Sequence, residues 1–227
     1  MRRFGLQKLT LLDYPERIAC TVFTGGCNLR CPFCHNGSLA LGDEKNEISE
    51  EEFFLFLKSR VGRLDGVCIS GGEPTLQPDL VDFARKIKSL GFLVKLDTNG
   101  TRPEVISALL SEGILDYVAM DIKNSPAKYA ETAGVKSIDL EAIKRSIKII
   151  SESGVKHEFR TTVTGELHSE DDVREICKIL HQDSKYYLQA YRDEGEILKK
   201  GLSTPTEEHI LALLRAAREF LPLAEKR

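Results

Sequence analysis

The sequence lacks any long apolar run. Its longest cluster, Phe53 to Leu57, is five residues, whereas a membrane-spanning helix needs about 18. It also lacks an excess of one charge. Lys plus Arg number 32 and Asp plus Glu 35, for a net charge of −3 with both signs interspersed. That leaves no electrostatic footprint for tight nucleic-acid binding. No low-complexity segment, Pro-rich linker or exact repeat divides the 227 residues. The opening Met1-Arg2-Arg3-Phe4-Gly5 has two Arg but no apolar block after them, unlike a secretory leader. The expectation is a cytoplasmic protein that engages neither membrane nor nucleic acid. There, a cluster of Cys points to metal or redox chemistry before disulfides.

What is present is an alternation. β-rich runs at 18–24, 66–70, 92–97, 115–121, 157–164 and 186–191 are each followed by a helix-like run. Ser49-Glu50-Glu51-Glu52 reads as a capping box opening a helix over 50–60. Pro78 and Gly91 bracket a second helix over 78–90. Others are predicted over 103–111, 139–153, 169–180 and 206–220. The run at 139–153 carries Leu140, Ile143, Ile147 and Ile150 on one face and stops at Gly154. Six βα units in series predict an α/β fold with a parallel sheet and right-handed crossovers. The expected form is a partial (β/α)6 TIM-like barrel, with an open doubly wound sheet as the alternative. The expected organisation is one domain over 1–227, with a core at about 14–195 and a terminal helix at about 206–220.

Six Cys are present. Cys20, Cys68 and Cys177 sit in apolar or amphipathic runs and read as small buried hydrophobes. Cys27, Cys31 and Cys34 form CxxxCxxC in the loop after the first of the six strands. Three thiolates within eight residues are soft, charged ligands for zinc or an iron–sulfur cluster. With His35 they could complete a Cys3His zinc site, although His35 directly follows Cys34, which is not normal zinc spacing. A [4Fe–4S] cube normally takes four thiolates. Held by three, it would leave one iron open to a ligand.

Three further motifs fall at strand ends: Ser70-Gly71-Gly72-Glu73-Pro74, Asp97-Thr98-Asn99-Gly100 and Asp121-Ile122-Lys123. Each alone is an ordinary turn or surface ion pair. In a βα barrel, however, the C-terminal strand ends share the face that holds the active site. The Cys loop and the three motifs would all lie there. Small Gly turns, carboxylates and amides beside an open iron suit a ligand with an amino acid moiety and a ribose.

From about Phe4 to Tyr191 these residues resemble the radical S-adenosylmethionine (SAM) enzymes, on CxxxCxxC with Phe33 before the last Cys, followed by GGEP. Within that superfamily, Cys34-His35-Asn36, DTNG and DIK resemble the activases of glycyl-radical enzymes. The stretch Gly5 to Pro15, GLQKLTLLDYP, resembles the activating proteins of anaerobic ribonucleoside-triphosphate reductase, near those of pyruvate formate-lyase. Glu16 stands where that pattern usually has Gly.

The resemblance implies a radical SAM core in which Cys27, Cys31 and Cys34 hold a [4Fe–4S] cluster and SAM chelates its open iron. Phe33 would lie by the adenine, with backbone contacts from Cys34 and His35. Gly71, Gly72 and Glu73 would meet the methionyl ammonium. Asp97, Thr98 and Asn99 would line the methionine side, and Asp121 and Lys123 the ribose and carboxylate. His168 is either a further SAM contact or a helix-entry residue. Arg160 would aid a carboxylate or serve only as a strand-face charge. Gln189 reads as a structural amide ahead of a cavity residue. The implied reaction is reductive cleavage of SAM and abstraction of hydrogen from a Gly Cα. The implied partners are a glycyl-radical enzyme of the anaerobic ribonucleotide reductase type and a flavodoxin- or ferredoxin-type electron donor. Two other functions compete: a radical SAM enzyme for a small molecule or modified base, similar to 7-carboxy-7-deazaguanine synthase, and a non-catalytic Cys3His zinc module.

Overall fold

The six apolar runs form six parallel strands in a computed structural model that describes residues 3–42, 47–193, 197–199 and 201–227. In chain order the elements are β1 (Arg3–Thr10), β2 (Ala19–Thr24), α1 (Gly37–Leu41), β3 (Glu47–Ser49), α2 (Glu50–Lys58), β4 (Gly66–Gly71), α3 (Leu80–Ser89), β5 (Leu93–Thr98), α4 (Pro103–Ser111) and β6 (Tyr117–Asp121). Then come α5 (Tyr129–Thr132), α6 (Leu140–Glu152), β7 (Lys156–Val163), α7 (Glu170–Ile179), β8 (Tyr186–Ala190), α8 (Glu207–Arg218) and β9 (Glu225–Lys226). One sheet runs β3-β1-β2-β4-β5-β6-β7-β8-β9. Pairing is parallel from β2 through β9, and β1 is antiparallel to both β2 and β3. The fold is a partial TIM-like barrel.

Three strands escape a reading of apolar runs. β1 mixes Gln7 and Lys8 into its length, and β3 and β9 have only three and two residues. The six predicted helices lie where periodicity puts them, with one correction, and the short α1 and α5 were not predicted. Pro78 stands outside α3, which begins at Leu80 behind Asp79. The capping box at Ser49 and Glu52 is present in full. Glu16, in the β1–β2 turn, has φ 62 and is the non-glycine residue with positive φ among those described. That left-handed conformation is the one glycine adopts without a steric cost.

Strand alternation sorts the side chains into two layers. Val67, Ile69, Val94, Leu96, Val118, Met120 and Phe159 face the helices and are buried. Phe4, Phe53 and Phe83 pack there ring to ring, with centroids 5.2–5.4 Å apart. The opposite face lines the barrel and is polar in its middle: Lys95 and Asp97 on β5, Asp121 on β6, Glu158 and Arg160 on β7. Below them Tyr14, Ala19, Tyr117 and Ala119 make a small apolar floor. Glu158, almost fully buried, is held there by Tyr117 Oη at 2.8 Å and by both terminal nitrogens of Arg227 at 2.9 Å.

At the start of α7, Asp172 collects bonds from Lys128 Nζ (2.6 Å), Ser125 Oγ (2.8 Å), and the Ser169 hydroxyl and N–H (2.6 and 2.9 Å). Burial by itself would raise its pKa, but these bonds outweigh burial and bring it to about 2 from 3.8. A carboxyl depressed by folding stabilises the fold above its unfolded pKa. That contribution is lost as pH falls from about 4 towards 2. Asp172→Asn is therefore expected to cost about 2 kcal/mol near neutral pH and to flatten that part of the acid limb. Urea unfolding at stepped pH measures both.

Candidate active site

The C-terminal ends of the parallel strands open onto a cavity of about 480 Å3. Cys27, Cys31, Phe33, Cys34 and His35 line it from the loop after β2. Gly71, Gly72 and Glu73 line it after β4, Asp97, Thr98 and Asn99 at the end of β5, and Asp121 and Lys123 after β6. Four segments far apart in sequence thus meet at one place. Strand alternation supplies the rest: Arg160 and Thr162 point in from β7 and Gln189 from β8. The expectation that Gln189 is a structural amide is thereby corrected. In a strand, every second residue faces the lumen, and Gln189 falls on that side.

Backbone contacts, more than side chains, fix the Cys loop. Gly72 N donates to Thr24 O and Glu73 N to Gly26 O, both at 2.8 Å. A Cβ on Gly72 would lie 2.1 Å from Gly26 O. On the other flank, Arg30 N donates to Ala133 O at 2.8 Å, and a Cβ on Gly134 would lie 2.0 Å from Arg30 O. Gly134 was absent from the sequence-derived candidates, because its neighbours in sequence carry no motif.

Glu73 lines the wall with its oxygens already engaged. Oε1 accepts from the Thr75 N–H and hydroxyl and from Thr98 Oγ1 (2.8 Å), and Oε2 accepts from Asn99 N (2.6 Å). It ties the end of β4 to the end of β5. Asn99 in turn links Asn28 Oδ1 (2.9 Å) and Thr101 Oγ1 (2.7 Å), which carries the tie into the Cys loop.

Asp121 accepts from Arg160 Nε at 2.9 Å and Lys123 Nζ at 3.0 Å. Burial would raise its carboxyl, yet these two cations outweigh it and hold the pKa below the usual carboxylate range. Lys123 is desolvated too, but Asp121 and Cys31 raise its pKa overall. Lys95, buried beside Asp97, extends the pattern downward. The wall thus presents fixed charges of both signs. Burial pushes the Cys31 thiol up to about 11, partly relieved by Lys123, and burial raises Cys27 as well.

His168 stands behind this wall. It is buried and does not line the cavity. Its Nε2 pairs with Lys123 O at 2.9 Å, Nδ1 accepts from Thr164 N at 3.4 Å, and its own carbonyl meets His209 Nε2 at 2.9 Å. Ser70 lines the cavity with the rest of its motif, and Asp13, not named as a site candidate from the sequence, lines it too. Asp13 enters from the turn before β2 and accepts from Thr21 Oγ1 at 2.5 Å, a contact set by the antiparallel β1 that the apolar pattern does not reveal.

Among the described residues no three His, Cys, Asp or Glu side chains converge on one metal-ion position. Three thiols lining one cavity are soft, charged donors that suit an iron–sulfur cluster, in which each sulfur meets its own iron.

The family model described as the Radical SAM superfamily matches residues 21–180. The chain belongs to this superfamily and is a radical SAM enzyme, whose cofactors are a [4Fe–4S] cluster and SAM. This sets the zinc-module reading aside. A candidate glycyl-radical enzyme activating enzyme of Methanocaldococcus jannaschii is 35% identical, over 96% of this chain and 92% of its own. A probable GTP 3′,8-cyclase of Thermococcus kodakarensis is 33% identical over 56% of this chain and 43% of its own. Streptococcus suis SuiB, solved bound to S-adenosylmethionine, superposes with TM-score 0.68 at 14% identity, over 90% of this chain and 48% of that one. Among the described residues no helix is long and apolar enough to cross a membrane.

Proposed function

We propose that this chain activates a glycyl-radical enzyme, and that the partner is an anaerobic ribonucleoside-triphosphate reductase. The observation that carries the reading is the meeting of three Cys with the GGEP, DTNG and DIK residues in one cavity at the strand ends. The similarity over nearly the full chain to a candidate activating enzyme supports the activase role. The GLQKLTLLDYP stretch supports the reductase as partner.

Cys27, Cys31 and Cys34 would hold the cluster. Phe33, Cys34 and His35 would flank the adenine, and the Gly71–Gly72 backbone the methionyl end. When bound, the cluster and SAM together supply a one-electron cleavage and, from it, hydrogen-atom abstraction. The protein contributes position and charge. Asp97, Thr98 and Asn99 give the methionine side hydrogen-bonding groups whose places Glu73 fixes. Asp121 and Lys123 offer an acceptor for ribose hydroxyls and a cation for a carboxylate. Arg160 keeps Asp121 ionised, and His168 holds the Lys123 backbone.

The strand ends are open, and a glycine-bearing loop of the partner would close them against water. A flavodoxin- or ferredoxin-type protein would deliver the electron. The competing reading, a small-molecule substrate as in the cyclase relatives, draws on a likeness confined to 56% of the chain.

The experiment mixes the reconstituted chain with SAM, a low-potential reductant and the reductase under anaerobic conditions. The expected result is a glycyl-radical EPR doublet on the reductase, with at least one 5′-deoxyadenosine formed per radical. Efficient SAM cleavage with no radical on the reductase, but with turnover of an added nucleotide, would overturn the activase reading.

A further inference from the structure

Once the Cys loop and the turns after β4, β5 and β6 are assigned to the cluster and SAM, two strands of the cavity wall are left over. Thr162 on β7 and Gln189 on β8 both line the cavity and are half-buried. They are register partners in the parallel pairing of these strands, so their side chains leave the same face side by side, about 5 Å apart. Among the described residues neither side chain makes a hydrogen bond or ion pair. The other polar side chains that line the cavity outside Cys27 to His35, from Asp13 to Arg160, each have a protein partner.

Free polar groups that face a cavity from rigid strands are placed for a ligand. Their chemistry narrows what that ligand is. A carboxamide carries a donor and an acceptor side by side, as a peptide unit does, and can pair with one through two hydrogen bonds. A hydroxyl gives or takes one more. A nucleobase also pairs with an amide, but a site for a base supplies a ring to stack on as well. The rings that line the cavity, Phe33 and His35, both belong to the Cys loop. Beside Thr162 and Gln189 the wall adds only the Ala190 methyl. Glycine has no side chain to recognise. An enzyme that acts on a glycine within a protein must therefore hold it through backbone N–H and C=O groups.

We propose that Thr162 and Gln189 bind the peptide backbone of the partner's glycine segment and so hold the glycine Cα in the cavity for hydrogen abstraction. The proposal rests on the activase reading and names the substrate contacts of that same site. Arg160, on the same face of β7, is tied to Asp121 at 2.9 Å and belongs to the SAM side of the wall. The two free side chains lie one step further towards the open strand ends, where a segment of the partner arrives first. Without them the glycine Cα is in reach less often, and SAM is cleaved without a radical on the partner.

The test uses the reconstituted chain with SAM, a low-potential reductant and the reductase, and compares wild type with Gln189→Leu, Thr162→Val and Thr162→Ser at equal bound iron. The half-saturating concentration of reductase and the 5′-deoxyadenosine formed per glycyl radical are measured. The expected result is a half-saturating concentration raised about tenfold in Gln189→Leu, as the loss of two hydrogen bonds implies. Thr162→Val should show a smaller rise and Thr162→Ser should recover the wild-type value. Both impaired variants should form more 5′-deoxyadenosine per radical. Wild-type values of both quantities in Gln189→Leu and Thr162→Val would overturn the proposal alone. Variants that fail to load iron would assign the pair to support of the cluster and overturn it too. A wild-type chain that cleaves SAM but puts no radical on the reductase would overturn the activase reading beneath it, so the wild-type reaction separates the two failures.

Discussion

Cys31→Ala is expected to bring both cluster content after anaerobic reconstitution and 5′-deoxyadenosine production from SAM down to background. Cys31 lies at the centre of the site. It is nearly buried, the charges of Lys123, Cys34 and Cys27 act on its sulfur, and its neighbour Arg30 bonds to Ala133 at the end of α5. Two thiols remaining on a cavity wall cannot hold a cube that already lacks a fourth protein ligand. The fold should hardly notice. Removal of one small buried sulfur is worth of order 1 kcal/mol, and Glu73 and the backbone bonds that place the loop are untouched. Far-UV circular dichroism and the thermal midpoint should therefore stay close to those of the wild-type chain while iron is lost. A variant that keeps its iron and its cleavage activity would remove Cys31 from the ligand set.

A second consequence concerns pH. Burial pushes the Cys31 thiol up to about 11 and raises that of Cys27. Ligation requires thiolates, so cluster binding must release those protons. Reconstitution should become more favourable as pH rises, which iron bound per chain at stepped pH measures.

How much of this was readable from the residues alone follows a physical division. The six parallel strands and their helices were readable because each has its own local pattern: an apolar run, then an amphipathic period, closed by glycine in three of them. Gly91, Gly113 and Gly154 all take positive φ just past their helices, as C-terminal caps do. The Cys loop and the GGEP, DTNG and DIK turns were readable as one site because parallel strands bring their C-terminal ends to one side.

Residues whose meaning depends on strand facing were not settled. Arg160 in a strand-like run is as consistent with a solvent charge as with an inward one. Only the pairing of β7 with β6 turns it towards Asp121. Gln189 was misread for the same reason. Glu73 shows a different limit: sequence places a carboxylate at the site but cannot reveal that four protein donors already occupy it. Asp13 and Gly134 lay beyond reach because their partners, Thr21 across a hairpin and Arg30 across the Cys loop, are brought to them only by tertiary folding.

Those tertiary contacts lead to the other large effect. Gly72→Ala and Gly134→Ala are each expected to abolish cluster retention, though neither residue carries a functional group. An added Cβ would sit 2.1 Å from Gly26 O in the first and 2.0 Å from Arg30 O in the second. Both obstacles are backbone atoms of the Cys loop, so no side chain can swing aside and the loop itself must move. At Gly72 it would also break the 2.8 Å bond from Glu73 N to Gly26 O, and at Gly134 the 2.8 Å bond from Arg30 N to Ala133 O. The control is Gly154→Ala. Gly154 has φ 73 and nothing within 4 Å of an added Cβ, so it bears only the left-handed backbone penalty of about 1–2 kcal/mol. If Gly154→Ala lowers the thermal midpoint but keeps its iron, and the other two lose iron, the loss belongs to loop displacement. If all three lose iron in proportion to their stability, the clamp has no special role. The comparison separates a site damaged by general destabilisation from one that depends on two glycine contacts on opposite flanks of three cysteines.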